Sequence, residues 1–271
     1  VISEFSGFLL FKEISNRLKK EGNRDLGKLF QFLARDEARH AGFLSRALVA
    51  EGIEVDLPHL GGKRAATWFP ISWVIYSVYL SEKIGYWRYI LMDRHLKANP
   101  DQAFAPLFDF FEPWCQDENR HGDCFTVMMR CWPGITKGFR GKLLSRFFLW
   151  SVFLTHTLTV CERGEFYELL GIDPKEFDEE VIKRTNHTSK NAFPWVFNLD
   201  DNKFWDLRNK IIESFRAFVG AKGLTKPVKF VKFATLIFKQ FALPMEKTDA
   251  LRYDKNVNFT GQDILNFWTD K

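Results

Sequence analysis

The chain has 271 residues, of which 46% are hydrophobic and 27% charged, and its net charge is +5 at pH 7. This balance is typical of a globular protein and excludes a disordered chain, while the modest positive charge gives no indication of nucleic-acid binding. The four cysteines form no C-x-x-C pair, which argues against a zinc site or a redox dithiol and favours a reducing compartment.

Helical periodicity dominates the chain and strand-like alternation is nearly absent, so the sequence predicts an all-α protein. Long helices are predicted at about 1–21, 24–51, 70–98, 101–132 and 138–170. Asp173 and Pro174 are typical of the start of a further helix. The stretch 193–207 is predicted to be a connector, and the tail beyond 246 to be polar and irregular. Because Val1 already lies in a helical pattern, we expect the chain to be part of a longer one.

Two short motifs each occur twice. Asp-Glu-x-Arg-His stands at 36–40 and again at 117–121, and Ser-Glu-x-x-Gly stands at 3–7 and again at 81–85. Each Ser-Glu-x-x-Gly precedes an Asp-Glu-x-Arg-His by a similar distance. The repeated unit is therefore a helix pair, in which the first helix carries one Glu and the second carries Glu-x-x-His.

This duplication predicts a metal site. A Glu and a His three residues apart project from one face of a helix, and antiparallel helices bring the two copies together. Four carboxylates in an apolar bundle repel one another, so two cations would offset the cost of burying them. Oxygen ligands with two imidazoles suit iron or manganese, and this set is the one found in di-iron carboxylate bundles. The predicted ligands are Glu4, Glu37, His40, Glu82, Glu118 and His121.

The predicted architecture is a ferritin-like four-helix bundle with a fifth helix over residues 1–171, followed by a helical C-terminal extension over 172–271 that packs on the bundle or on a membrane. Glu37 and Glu118 are predicted to bridge two iron ions, with Glu4 and Glu82 as terminal ligands.

The residues beside the predicted ligands allow two interpretations each. Asp36 is predicted to support His121 and Asp117 to support His40, since metal-bound imidazoles usually donate their second N–H to a carboxylate; the alternative is two surface aspartates. Gly7 and Gly85 either leave room for dioxygen or substrate or allow close helix packing.

Two further features concern partners. No nucleotide-binding or iron–sulfur motif is visible, so reducing power would come from a separate protein. The basic, apolar stretch 221–245 either lies on an anionic membrane or packs on the core with solvated lysines. No apolar run reaches the length of a membrane span.

Four stretches carry a family resemblance: "RDEARHAGFLSRAL", "YLSEKIGYWRYI", "RHLKANP" and "WCQDENRHGDCF". They closely resemble the aerobic magnesium-protoporphyrin IX monomethyl ester oxidative cyclases. The resemblance runs from about residue 1 to 190 and includes "EFDEEVIKRTNHTSK", whereas 191–271 matches less well.

The resemblance implies a di-iron oxidoreductase of chlorophyll and bacteriochlorophyll synthesis, which uses dioxygen to form the isocyclic ring. Its substrate would be magnesium-protoporphyrin IX monomethyl ester and its product divinyl protochlorophyllide. It also implies ferredoxin or a similar electron donor, room for an accessory subunit, and a peripheral location on the cytoplasmic side of a photosynthetic membrane or on a plastid membrane. The alternatives are another ferritin-like di-iron oxidase and an iron-storage protein.

Overall fold

The computed structural model describes residues 1–53, 55–62, 70–103, 106–131 and 133–249. Part of the tail predicted to be irregular, 250–271, lies outside the described residues. Within these described residues the fold is all-α, as predicted, apart from one pair of short strands. The α-helices are α1 (Ile2–Lys20), α2 (Arg24–Ala50), α3 (Leu57–Gly62), α4 (Ile71–Ala98), α5 (Phe111–Cys131), α6 (Pro133–Thr136), α7 (Gly138–Glu162), α8 (Gly164–Leu169), α9 (Pro174–Ser189), α10 (Asn202–Val219) and α11 (Thr225–Phe241).

Two helical hairpins make up the bundle, and they correspond to the two sequence repeats. α1 packs along α2, and α4 packs along α5. Between α1 and α2, Gly22 turns the chain with a φ of +87°, and the Asn23 side chain accepts a hydrogen bond from the backbone N–H of Leu26 at 3.3 Å. This cap fixes where α2 begins, and with it the register of the Glu-x-x-His motif.

Two predicted helices have different bounds in the structure. The helix predicted from about 101 begins at Phe111, after two 3₁₀ helices at Pro100–Gln102 and Pro106–Phe110. A proline opens each of these short helices, and proline cannot donate to an α-helical ladder. The fifth predicted helix is broken at Arg163, between α7 and α8.

The region after residue 192 is more ordered than predicted. The stretch predicted to be a connector contains the strand β1 (Trp195–Phe197) and the beginning of α10, whose cap Asp201 accepts from the backbone N–H of Lys203 at 2.9 Å. β1 pairs antiparallel with β2 (Met245–Lys247), so the tail predicted to be irregular beyond 246 begins inside a strand.

The C-terminal helices build onto the bundle. α9 packs on α4 and α7, α10 packs on α7, and α11 lies along α10. One apolar core runs through both parts of the chain, from Phe11 and Phe30 to Val181 and Phe204. The domain boundary at 171 stays a prediction.

α7 is long and apolar enough to cross a membrane when length and composition alone are considered, unlike the shorter apolar run predicted there. Of its most apolar window, 44% is buried inside the protein. A core helix passes the same test, so the helix is weak support for a membrane span.

Candidate metal centre

All six predicted ligands meet between the two hairpins. α1 supplies Glu4, α2 supplies Glu37 and His40, α4 supplies Glu82, and α5 supplies Glu118 and His121. All are buried except Glu4, which is partly exposed; His40 is 0% exposed and Glu37 only 4%. Ionisable side chains are rarely buried at this density without a function that needs them.

The six side chains form two overlapping groups, and in each the ligand atoms lie within 4.8 Å of one another. The first group is Glu4, Glu37, His40 and Glu118, and the second is Glu37, Glu82, Glu118 and His121. Glu37 and Glu118 belong to both groups, which is the position a bridging carboxylate would take between two ions. The ligand roles stay predictions, and this geometry supports them.

Both imidazoles turn Nδ1 toward the carboxylates. His121 Nδ1 lies 3.2 Å from a Glu82 oxygen and 3.3 Å from Glu37 Oε1. His40 Nδ1 lies 3.4 Å from Glu118 Oε1, and this buried nitrogen has no hydrogen-bond partner among the described residues. A buried ring nitrogen that has acceptors nearby but no bond fits a position meant for a metal ion.

The opposite ring nitrogens face the two aspartates, in the crossed arrangement that the sequence predicts. His40 Nε2 lies 3.4 Å from Asp117 Oδ2, and His121 Nε2 lies 3.5 Å from Asp36 Oδ2. Arg39 donates to Asp117 at 2.5 Å and lies 3.3 Å from Asp36. The aspartates therefore connect the buried imidazoles to arginines on the outer face of α2 and α5. Their supporting role stays a prediction.

Burial and crowding perturb the charges of the cluster. Burial raises the pKa of Glu37 to about 8 and the pKa of Glu82 well above its usual range, and neighbouring carboxylates add to both shifts. Burial also acts to raise the pKa of Glu118, but the nearby imidazole of His40 and the Glu82 side chain outweigh it and leave that pKa below its usual range.

The two imidazoles respond in the opposite sense. Burial alone would lower the pKa of His40, but Glu118 and Glu4 raise it to about 10. The pKa of His121 is likewise raised, by Asp36 and Glu37. Without a cation the cluster therefore holds protons on its imidazoles and on some carboxyls. Metal ions would displace these protons, since ligands must be deprotonated to bind.

Gly7 and Gly85 lie against the carboxylates that the two groups share. A Cβ at Gly7 would stand 3.0 Å from Glu37 Oε2, and one at Gly85 would stand 3.7 Å from Glu118 Oε2. The two glycines thus occupy equivalent places in the two repeats. They leave space for the shared carboxylates of the neighbouring helices. Room for dioxygen or substrate at the two glycines stays a prediction.

A cavity of about 460 Å³ opens between α1 and α4 and reaches the cluster. Its lining includes the carboxylates of Glu4, Glu37, Glu82 and Glu118, but neither His40 nor His121. Ser6, Ser81, Arg88 and Tyr89 complete the part of the wall nearest to them. The centre therefore has two sides, an open carboxylate side at α1 and α4 and a closed imidazole side at α2 and α5.

Several residues at the centre were not assigned a role from the sequence. Trp114 lies in the apolar core, and its Nε1 donates to Glu118 Oε1 at 2.6 Å. Tyr89 Oη lies 3.5 Å from Glu4 Oε1, and Arg88 lines the cavity. The available signal was spacing, because Trp114 is one helical turn before Glu118 and Tyr89 is two turns after Glu82.

A protein-family model and several known proteins match the chain. The family model described as Rubrerythrin matches residues 1–129. A magnesium-protoporphyrin IX monomethyl ester (oxidative) cyclase of Prochlorococcus marinus is 74% identical over 253 residues, which are 93% of this chain and 72% of that protein. A second cyclase, of Thermosynechococcus vestitus, is 53% identical over 242 residues, covering 89% of this chain and 68% of the relative. No solved structure matches the chain.

The buried Glu and His set within paired helical hairpins, together with the Rubrerythrin match, defines a ferritin-like di-iron carboxylate protein. The identity to the cyclases then defines the family. The chain belongs to the magnesium-protoporphyrin IX monomethyl ester oxidative cyclases, a family of oxidoreductases. The match extends beyond residue 190, because it covers 253 of the 271 residues.

Proposed function

We propose that the chain catalyses the oxygen-dependent closure of the isocyclic ring of chlorophyll, converting magnesium-protoporphyrin IX monomethyl ester to divinyl protochlorophyllide. One observation carries the proposal. Two overlapping carboxylate and imidazole groups line or adjoin a cavity, in a chain 74% identical to a protein named for this reaction. The donor set fits two iron ions, since it offers four carboxylates and two imidazole Nδ1 atoms that face them.

The reaction places definite demands on the site. The methylene next to the macrocycle becomes a ketone and the adjacent carbon joins the ring, so the substrate loses four hydrogens and gains one oxygen. Three dioxygen molecules take six electrons from the substrate and six from a donor. One oxygen atom enters the product and five leave as water. The two irons, when bound, supply the capacity to activate dioxygen.

The chain's own residues would bind the irons, orient the substrate and exclude water from the site. The six ligands would hold the irons, while Asp36 and Asp117 fix the imidazole rings through their Nε2 atoms. The cavity side presents four carboxylates to an entering substrate arm. The buried wall behind them, with Trp114 bonded to Glu118, keeps bulk water from the reacting carbon.

A reconstituted assay tests the proposal. The protein is loaded with ferrous iron without oxygen, and the magnesium porphyrin monoester, a reductant and dioxygen are added. The expected result is the absorption of protochlorophyllide. Uptake of iron without pigment conversion would overturn the proposal and favour another di-iron oxidase or iron storage.

We further propose that the electrons come from an acidic protein of the ferredoxin type, which docks on the imidazole side. Arg35, Arg39 and Arg120 surround Asp36 and Asp117 there, and the side chains of Arg35 and Arg120 are 68% and 73% exposed. The arginines contact the two aspartates, and the aspartates contact the imidazoles. This basic face therefore lies on the side of the site away from the cavity. Charge complementarity of this kind raises the rate of encounter and weakens with salt.

The double variant Arg35→Glu/Arg120→Glu is expected to lower donor-driven turnover by roughly 10-fold at low ionic strength, because the variant repels an acidic partner. Turnover with dithionite, a small reductant, should not change. Arg24→Glu, an exposed change at the far end of α2, is the matched control. An equal loss with both reductants would contradict the docking face.

We also propose a peripheral location on a photosynthetic membrane, with α11 as the contact. Val228, Val231 and Phe238 on this helix are 68%, 62% and 75% exposed. Lys229 and Lys232 are exposed beside them. An exposed helix that mixes apolar and basic side chains suits the surface of an anionic lipid layer.

The variant Lys229→Gln/Lys232→Gln is expected to bind anionic vesicles roughly 30-fold more weakly, at about 1 kcal/mol for each lysine near the surface. Cosedimentation with phosphatidylglycerol vesicles measures this, with phosphatidylcholine vesicles as the reference. If the variant and the unchanged protein partition alike into anionic vesicles, α11 is not the contact.

A further inference from the structure

Arg88 is a cation inside the cavity that the metal site does not use. It lies on α4, six residues after Glu82, and lines the same cavity as the four carboxylates. The residue is partly buried. A guanidinium keeps its charge in proteins and offers five N–H donors in a planar fork.

Few of those donors have a partner within the protein. Nη2 donates to the Tyr89 hydroxyl at 3.0 Å, and the guanidinium lies 4.8 Å from the centre of the Tyr89 ring. Among the described residues, no carboxylate forms an ion pair with it. Glu4 is reached only through Tyr89, whose hydroxyl lies 3.5 Å from Glu4 Oε1. Withdrawing a charge even partly from water has a cost, which an anion bound in the cavity would offset.

The chemistry of the substrate offers one such anion. A monomethyl ester of a porphyrin with two propionate arms keeps one free carboxylate, and the two arms stand on adjacent pyrrole rings. A fork of N–H donors matches a carboxylate in two parallel hydrogen bonds, which fix orientation as well as binding. The esterified arm, which must react, has no charge for Arg88 to bind.

We propose that Arg88 binds the free propionate carboxylate of the substrate and thereby directs the neighbouring esterified arm toward the metal ligands. This inference rests on the proposed function. Arg88 would be the residue that makes the site selective for the monoester. The diester would enter without an anchor, and either arm could then approach the carboxylates.

Equilibrium binding of two porphyrins tests the inference without turnover. The iron-loaded protein is titrated with magnesium-protoporphyrin IX monomethyl ester and with the dimethyl ester, and binding is followed by the porphyrin absorption. Arg88→Gln is expected to bind the monoester roughly 30-fold more weakly, the usual loss for charge-assisted hydrogen bonds. Its affinity for the dimethyl ester should not change.

Two further variants complete the test. Arg88→Lys should recover part of the monoester affinity, since it keeps the charge but not the fork. Arg94→Gln, an exposed change on the same helix, is the matched control and should bind both porphyrins like the unchanged protein.

The inference fails if Arg88→Gln weakens both porphyrins equally, or neither, while the unchanged protein still binds the monoester; the proposed function then stands. It also fails if Arg88→Gln loses iron, because Arg88 would then act by positioning the ligand Glu4 through Tyr89. Failure of the unchanged protein to bind either porphyrin would overturn the inference and the proposed function together.

Discussion

Glu82→Ala is expected to lose iron and activity together while keeping its helix content. Glu82 is 6% exposed and lies in the group with Glu37, Glu118 and His121. Removing a ligand should lower iron affinity by about 100-fold or more. Mutating a residue that only hydrogen-bonds a metal ligand already lowers metal affinity by up to about 100-fold. The fold should survive, because the change removes a carboxylate whose burial is costly and which repels Glu37 and Glu118.

Iron content by elemental analysis and helicity by circular dichroism measure the two effects separately. Glu112→Ala is the matched control, since Glu112 is an exposed residue on α5 that pairs only with Lys97 on the surface. The control should keep both irons. A Glu82→Ala protein with full iron content and full activity would overturn the assignment of this ligand.

Asp178→Ala is expected to destabilise the protein without affecting the metal site. The Asp178 carboxylate is 1% exposed and accepts hydrogen bonds from Arg208 Nε at 2.8 Å, Thr157 at 2.9 Å and His156 Nδ1 at 2.7 Å. The network joins α7, α9 and α10. Its loss leaves the Arg208 charge buried without its carboxylate counter-ion, which costs about 3–5 kcal/mol.

Thermal unfolding of the iron-loaded protein should show Tm lowered by roughly 6–20 °C. Asp206→Ala, an exposed change on α10, should leave Tm within a few degrees. Iron content per folded chain should stay the same in both variants, since none of the network residues is a candidate ligand. An unchanged Tm in Asp178→Ala would mean that the network contributes little to stability.

The helices and the candidate ligands could be predicted because both depend on the spacing of residues close together in the sequence. The bundle helices follow from apolar periodicity, and Asn23 and Asp173 mark the starts of α2 and α9. The Glu-x-x-His pairs follow from the helical repeat, and the duplication indicated that the two copies would meet. Spacing could not give the distances between them, which depend on how the hairpins cross.

The features that were missed depend on partners far apart in the chain. β1 and β2 are three residues each and exist only because 195–197 meets 245–247. Arg88 and Asp178 look like ordinary surface charges in the sequence, and only the fold places Arg88 in the cavity wall and buries Asp178. The start of α10 fell inside the aromatic-rich stretch predicted to be a connector, although Asp201, which caps the helix, was a usable local signal.

Iron stoichiometry with X-ray absorption tests the central claim most directly. The full chain is titrated with ferrous iron without oxygen, and bound iron is counted and its nearest metal neighbour measured. The account predicts two irons per chain, each with a second iron at about 3.5–4 Å, the spacing usual for two-metal sites. A single iron per chain, or irons without a metal neighbour, would contradict it.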